Sequence, residues 1–544
     1  MKLKFLQFVF LFLIGNITYA QIDTLMVPND FGGSAFGSMQ NFILGDTLAD
    51  GSRVNEDRYY MLEKDKIYFL DGIFFTNFNF RLLGESVSGL EKPPIVASTA
   101  GADGVIQLIQ FKFFADAYVK DIIIQMTPPT GTGESNAAFF LAGEGANYEF
   151  DNVMIEWGLW TGIVTEKPVN KIVVRNCYFK NSQHKTNIWN GRGIGFFQEN
   201  PADSVIIQNN TFFNNNSFAF FADISSIPPD YLLFDHNSIV NSMKFPLHSF
   251  WLPNAVVTNN IFYNGHSYGE TAADKVGQDP DLLEYGIINI SPIPSDLLDY
   301  YSIEETDRSY KVKNNGFFYE DEIRSYWTEY NLPNNPFMNQ RVMSMFGDNG
   351  MYPNLDNSNT MVENPQFNNP GEGMTAMIQW MKNKRDLMGN TYWGWDPDND
   401  KFLVQWPIVE DLSFANTTLQ VAASGGFPLG DLNWWGDDIK SQWETWSMTT
   451  AVVNLPSELE AINIAPNPTS ARSMIDLYLK NKSYVEVNVH SLDGAKVATI
   501  HKGNLGQGEH NLVWNIDANI KTGTYLIRVS TENDVVTKKL VIQK

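Results

Sequence analysis

His184, Lys185 and Arg192 lie within a few residues of Trp189, and Lys244 and His248 lie close to Trp251. A histidine or lysine can remove a proton, and an arginine or lysine can neutralise a carboxylate. An indole offers a flat apolar platform to a sugar ring. These are the parts a β-elimination of an acidic polysaccharide requires: a base near the carbon α to the uronate carboxylate, a cation on that carboxylate, and often a donor for the leaving oxygen. On this reading His184, Lys185 and Arg192 are candidate catalytic residues, and Trp189, Trp251, Lys244 and His248 are candidate carbohydrate-binding residues. The bland alternative is a set of solvated loop charges and packed aromatics.

Asp396, Asp398 and Asp400 place three carboxylates at alternate positions, a hard-oxygen set suited to Ca²⁺. An EF-hand loop is excluded, because it needs Gly at the sixth position and Glu at the twelfth, where Lys401 and Pro407 stand. A looser Ca²⁺ site is the remaining expectation. Hydrolysis of a glycoside needs two or three carboxylates converging on one bond. The Asp-Asp and Gly-His-Gly set of polygalacturonases is incomplete, since Gly265-His266-Ser267 does not supply it. Asp235-His236 matches a fragment of some pectate lyases, or a turn. Cys177 is the only cysteine, so no intramolecular disulfide forms, and its apolar neighbourhood suits a buried inert thiol. The net charge of −24 and pI near 4.7 disfavour a nucleic-acid partner. Anionic polymers are likewise not attracted by the chain as a whole.

The elements that must position these side chains form a repeat. Asn176-Cys-Tyr-Phe, Asn210-Thr-Phe-Phe, Asn237-Ser-Ile-Val and Asn260-Ile-Phe-Tyr align, each with a second asparagine four or five residues on, at Asn181, Asn214, Asn241 and Asn264. Apolar runs such as Lys171-Ile-Val-Val and Ser204-Val-Ile-Ile precede them. Weaker copies stand at Asn152 and Asn315. Each unit reads as strand, polar bend, strand and loop. Asn tolerates the left-handed backbone of a tight bend, and its amide can hydrogen-bond from one copy to the next. One unit cannot bury its apolar side alone, so the units must stack. The pattern resembles right-handed parallel β-helix proteins of the pectate-lyase-like superfamily, over residues 55–370. Residues 21–54 read as a lead-in. Residues 266–310 read as an insertion projecting over one face. The Trp-rich residues 371–454 read as a cap or extension on the solenoid's end, with a linker.

The two ends describe a route. Lys2 and Lys4, the apolar run Phe5 to Ile14 and the small Ala20 form a secretory signal peptide over residues 1–20. That run is too short to span a bilayer, which takes ~20 residues, so no transmembrane segment is expected in the mature chain. From about Leu455 come Ala465-Pro-Asn-Pro-Thr469, Val489-His-Ser-Leu-Asp493-Gly494, Gly523-Thr-Tyr525 and Lys538-Lys-Leu-Val541. In this order they resemble the type A C-terminal sorting domain of the Bacteroidota type IX secretion system. The resemblance implies that residues 455–544 form a small antiparallel immunoglobulin-like β-sandwich recognised by the outer-membrane translocon and sorting machinery. Asp23-Thr-Leu and Asp46-Thr-Leu resemble Bacteroidota O-glycosylation acceptors. The expectation is an all-β protein, secreted or at the cell surface, that interacts with extracellular carbohydrate.

Overall fold

The computed structural model describes residues 23–99, 106–130, 134–197, 200–222, 226–270, 286–389, 392–450, 459–491, 496–517, 519–531 and 535–544. The expected signal peptide, 1–20, and the Asp493-Gly494 turn lie outside the described residues. The chain divides into two compact units, residues 1–443 and 444–544.

The first unit is a parallel β-helix with three faces. Each coil supplies a longer strand, a bend, a shorter strand, a loop and a third strand; one coil reads Ala202–Gln208, Thr211–Asn215, Phe220–Ala222. The next coil, Tyr231–Asp235, Ser238–Ser242 and Leu247–His248, pairs with it strand for strand in parallel. Alternation along each strand turns one set of side chains inward. On the first face the inward column runs Leu82, Val119, Phe150, Val174, Ile207, Phe234, Val257, Val312, and every member is buried. Each such side chain contributes roughly 1.5–3 kcal/mol on burial, so the stack of coils, not any one coil, holds the fold.

The bends separate two roles that the sequence repeat merged. Asp121, Asn152, Asn176, Asn209, His236, Asn259 and Asn314 take the left-handed conformation between the first and second faces, with φ from 50° to 60°. The residue after each of the last four bends, Asn210, Asn237, Asn260 or Asn315, forms the ladder. The Asn210 amide donates to Asn237 Oδ1 at 3.0 Å, Asn237 to Asn260 at 3.1 Å, and Asn260 to Asn315 at 2.9 Å. Tyr178 stands opposite Thr211, so Asn210 is level with Cys177, not with Asn176. The repeat alignment slips by one there because Asn209-Asn210 is a pair in which one member bends and the other stacks. Asp235-His236 is thereby a turn: His236 fills the bend position.

Three boundaries differ from expectation. Strand Thr24–Val27 already pairs in parallel with Tyr59–Leu62, and helix Ser38–Leu44 buries Met39 and Ile43 in the same core. The lead-in is therefore the first coil and its lid, since an open solenoid end would leave apolar side chains in water. The insertion leaves neighbouring coils in register, with Asn254 opposite Ser309 and Ile261 opposite Gly316. Part of it enters the core, where Ile287, Ile288 and Ile290 are fully buried, while its helix Ser295–Tyr301 buries no residue. Arg308, also fully buried, donates to the carbonyls of Leu252, Ser291 and Phe250 at 3.0, 2.7 and 2.8 Å.

The third difference is the expected end cap. Residues 371–443 form a strap that runs lengthwise over the second face. Trp393 and Trp395 bond to Gln183 and Asn181, Lys401 to Gln125, and Val404 to Lys92; the chain then turns back to Asn259 at Ser424 and to Thr211 at Asp431. The cause is that the second face is apolar outside as well as inside. Ile95, Ile123, Met154, Phe213, Val240 and Ile261 point outward and pack on Val404, Leu412, Phe414, Leu419 and Leu429 of the strap.

The second unit is an antiparallel sandwich of a three-stranded and a four-stranded sheet. Its own core includes Ile475, Leu477, Val487, Trp514, Ile527 and Leu540. Among the described residues no helix is long and apolar enough to cross a membrane.

Candidate functional site

Five of the seven sugar-directed candidates gather beside the third face. Arg192 opens strand Arg192–Phe196, and His248 lies two coils further along that face. Trp189 and Lys244 come from the preceding loops of their coils. Lys244 Nζ stands 3.8 Å above the Trp189 ring and is ion-paired to Glu270. The His248 ring lies 4.8 Å from Phe218, 4.7 Å from Phe221 and 6.4 Å from Trp189. Its Nδ1 is 3.0 Å from the Ala222 carbonyl, which assigns the proton to that nitrogen. The Arg192 guanidinium lies 4.4 Å over Phe221, and half-buried Trp251 lies 6.2 Å from Phe250. Stacked loops brought these residues together, as their spacing suggested. Burial was not foreseen: Arg192, Lys244 and His248 are 6%, 2% and 6% exposed. The arrangement is two cations and an imidazole packed among aromatic rings, each desolvated cation–ring contact worth up to ~2 kcal/mol.

His184 and Lys185 face elsewhere. His184 Nδ1 accepts from the backbone N–H of Thr186 and Asn187, and its carbonyl accepts from the Asn216 amide. Burial lowers its pKa below the ordinary histidine value, so the ring is neutral and its Nδ1 lone pair shapes the loop. Lys185 is exposed, and its carbonyl accepts from the Trp380 indole of helix Met374–Arg385. Asp396 is half-buried while Asp398 and Asp400 are exposed, and Asp400 Oδ1 accepts from the Phe402 N–H. Among the described residues, no group of three or more His, Cys, Asp or Glu is arranged to hold a metal ion. Asp23 and Asp46, which precede the two Thr-Leu pairs, are both ion-paired to Arg58.

An open groove lies on the outer side of the first face. It is lined by Arg81, Asp116, Tyr118, Asn147, Glu149 and Lys171, among others. Register sets it out: Arg81, Tyr118 and Glu149 occupy one outward row on successive coils, and Asn147 and Lys171 the row beside it. Tyr59 abuts Tyr118 edge-on at 6.4 Å, and Arg81, held by Asp57 at 2.9 Å, lies 5.4 Å over the Tyr59 ring. Such rows repeat every ~4.8 Å, the spacing of neighbouring strands. The groove therefore offers aromatic faces, an amide, carboxylates and a lysine along a line. Sequence reasoning passed over these residues, although the alternation in Ala117-Tyr-Val-Lys120 and Asn147-Tyr-Glu-Phe150 marks them as outward.

In the second unit, the Asn467 amide clasps the last strand: its Oδ1 accepts from Val541 N–H at 2.9 Å and its Nδ2 donates to Lys539 O at 2.8 Å. The Ala-Pro-Asn-Pro-Thr opening and the Lys-Lys-Leu-Val ending thus form one edge of the sandwich. Residues 463–543 match the family described as the secretion system C-terminal sorting domain. The second unit carries a secretion system C-terminal sorting domain. The sorting domain implies export out of the cell or to its surface. The tailspike protein gp49 from Acinetobacter baumannii bacteriophage Fri1, a capsular polysaccharide depolymerase, is similar at 10% identity. That similarity covers 89% of this chain and 73% of that chain, with a TM-score of 0.25. No curated protein matches the chain.

Proposed function

We propose that the exported β-helix binds extracellular polysaccharide, laying a glycan along the outer groove of its first face. The observation that carries this reading is the open row of Arg81, Tyr118 and Glu149 beside Asn147 and Lys171. An aromatic edge with nearby amide, carboxylate and ammonium groups suits hydroxyl-rich rings, which need apolar contact and paired donors together. The net charge of −24 favours a neutral or weakly acidic glycan over a dense polyanion. Titration calorimetry of the exported protein against neutral glucans, alginate, pectate and glycosaminoglycans tests it. Tyr118→Ala is expected to weaken binding at least tenfold without lowering the melting temperature. Unchanged affinity in that variant would remove the groove from the binding site.

A second reading, a polysaccharide lyase acting on acidic glycans by β-elimination, is supported by the gathering of Lys244 and His248 around Trp189, with Arg192 over Phe221 beside the same face. The same panel, followed by the absorbance of unsaturated uronates with and without Ca²⁺, distinguishes it. A signal lost in His248→Ala favours catalysis; binding with no signal favours the first reading.

A further inference from the structure

Beneath the strap is a charged cluster that neither reading uses. Lys180 ends strand Tyr178–Lys180, and Glu156 stands level with it on the preceding coil. Both point outward from the second face into the strap, where Glu410 meets them. Lys180 Nζ is 2.9 Å from Glu410 Oε1, with side-chain exposures of 1% and 0%. The Tyr178 hydroxyl donates to the same Oε1. Rings of Trp395 and Tyr178 flank Nζ at 5.7 and 5.9 Å. Among the described residues, Lys180 Nζ and the Oε2 atoms of Glu156 and Glu410 make no hydrogen bond. The ammonium is close to Oε1 but off its bonding direction, so the pair lacks the hydrogen bonds that make a buried ion pair favourable.

We propose that Lys180 and Glu410 condense into an amide, joining Nζ to Cδ and tying the strap covalently to the second face. Transfer of one proton within the pair gives an amine with a free lone pair and a carboxylic acid with a hydroxyl that can leave, the forms the condensation consumes. The amine lone pair attacks Cδ of Glu410. The oxyanion that develops is met by the Tyr178 hydroxyl. Burial pushes the Glu156 carboxyl up to about 7, so it carries a proton near neutrality and can relay one. It passes a proton to the departing hydroxyl and takes one from Nζ. The Nζ–Cδ bond forms, a Cδ–O bond breaks, one water leaves, and nothing is oxidised or reduced. Fixed contact supplies the drive, since well-oriented neighbours react at effective concentrations of ~10⁵–10⁸ M. With a single cysteine, the chain has no disulfide with which to fasten the strap outside the cell.

Peptide mapping of the exported full chain by mass spectrometry tests the proposal. The peptide containing Lys180 is expected joined to the one containing Glu410, the pair lighter than their sum by one water, with trypsin blocked at Lys180. Glu156→Gln, which keeps both partners, is expected to yield the two peptides separately. Recovery of unjoined peptides of unmodified mass from the wild-type chain overturns the proposal, as does full joining in Glu156→Gln for the role given to Glu156.

Discussion

Neighbouring asparagines at one bend carry different loads. Asn209 has φ 55° and its Oδ1 has no hydrogen-bond partner among the described residues. Asn210 accepts from Cys177 N–H at 2.8 Å and donates to Val174 O at 2.9 Å and to Asn237. Glycine enters the left-handed region freely, so Asn209→Gly is expected to change stability by no more than ~1 kcal/mol. Asn210→Ala strands a buried N–H and a buried carbonyl and is expected to cost roughly 2–4 kcal/mol. Urea titration of the two variants checks this, and equal costs would refute the division of roles. The sequence displayed the asparagines but not the division, because a period of unequal coils leaves the register free by one residue. Asp431 offers a pH handle. Burial pushes its carboxyl up to about 6, against lowering contacts from Asn433 and Thr211. Its folded pKa exceeds its unfolded value of 3.8, so the folded state binds the proton more tightly. Stability from this group is full below the unfolded value and is lost as pH rises through about 6. The shift corresponds to about 3 kcal/mol. Asp431→Asn is therefore expected to raise the melting temperature at pH ~8 and leave it unchanged at pH ~4. Melts across that range decide it.

At the scale of elements, the strap is the least legible part of the fold. Runs such as Phe212-Phe213 and Ile261-Phe262-Tyr263 are apolar at successive positions, which requires cover on both sides of a strand. Nothing local says that the cover comes from residues 392–435, far along the chain. The Trp-rich composition suits a cap or extension on the solenoid's end equally well, since an exposed end also needs cover. The same limit applies to the sugar-directed cluster. Stacking of loops placed Trp189, Lys244 and His248 together correctly, but whether such a cluster is open or packed depends on neighbours from other coils, here Phe218, Phe221 and Phe245. Trp393 is a buried indole of the strap, at 3% exposure, and its Nε1 donates to Asn216 Oδ1 at 2.6 Å. Trp393→Ala is expected to cost about 3–5 kcal/mol. Hydrogen exchange should rise across residues 392–406 before it rises in the coils. Uniform loss of protection would mean that strap and solenoid unfold as one body.

At the scale of the whole molecule, the two units have separate cores. Leu477, Val487, Trp514 and Leu540 pack together in the sorting domain, while the solenoid's core runs from Val27 to Trp393. The strands of each unit pair only within that unit among the described residues. The strand-to-strand hydrogen bonds of each unit therefore come from its own residues. Ending the chain before Leu459 is expected to shift the solenoid's melting temperature by no more than a few degrees, because no strand of that sheet loses a partner. The same truncation is expected to abolish export, because residues 463–543 carry the sorting domain. The Asn467 clasp allows a finer test. Asn467→Ala removes two bonds to the final strand, at a cost of roughly 1–3 kcal/mol, within the sorting domain alone. Comparing extracellular yield with the melting of each unit separates sorting from folding. Export lost while both units still melt as in the wild type places recognition at the Asn467 edge itself. Export lost only together with the second transition means that recognition reads the folded sandwich as a whole.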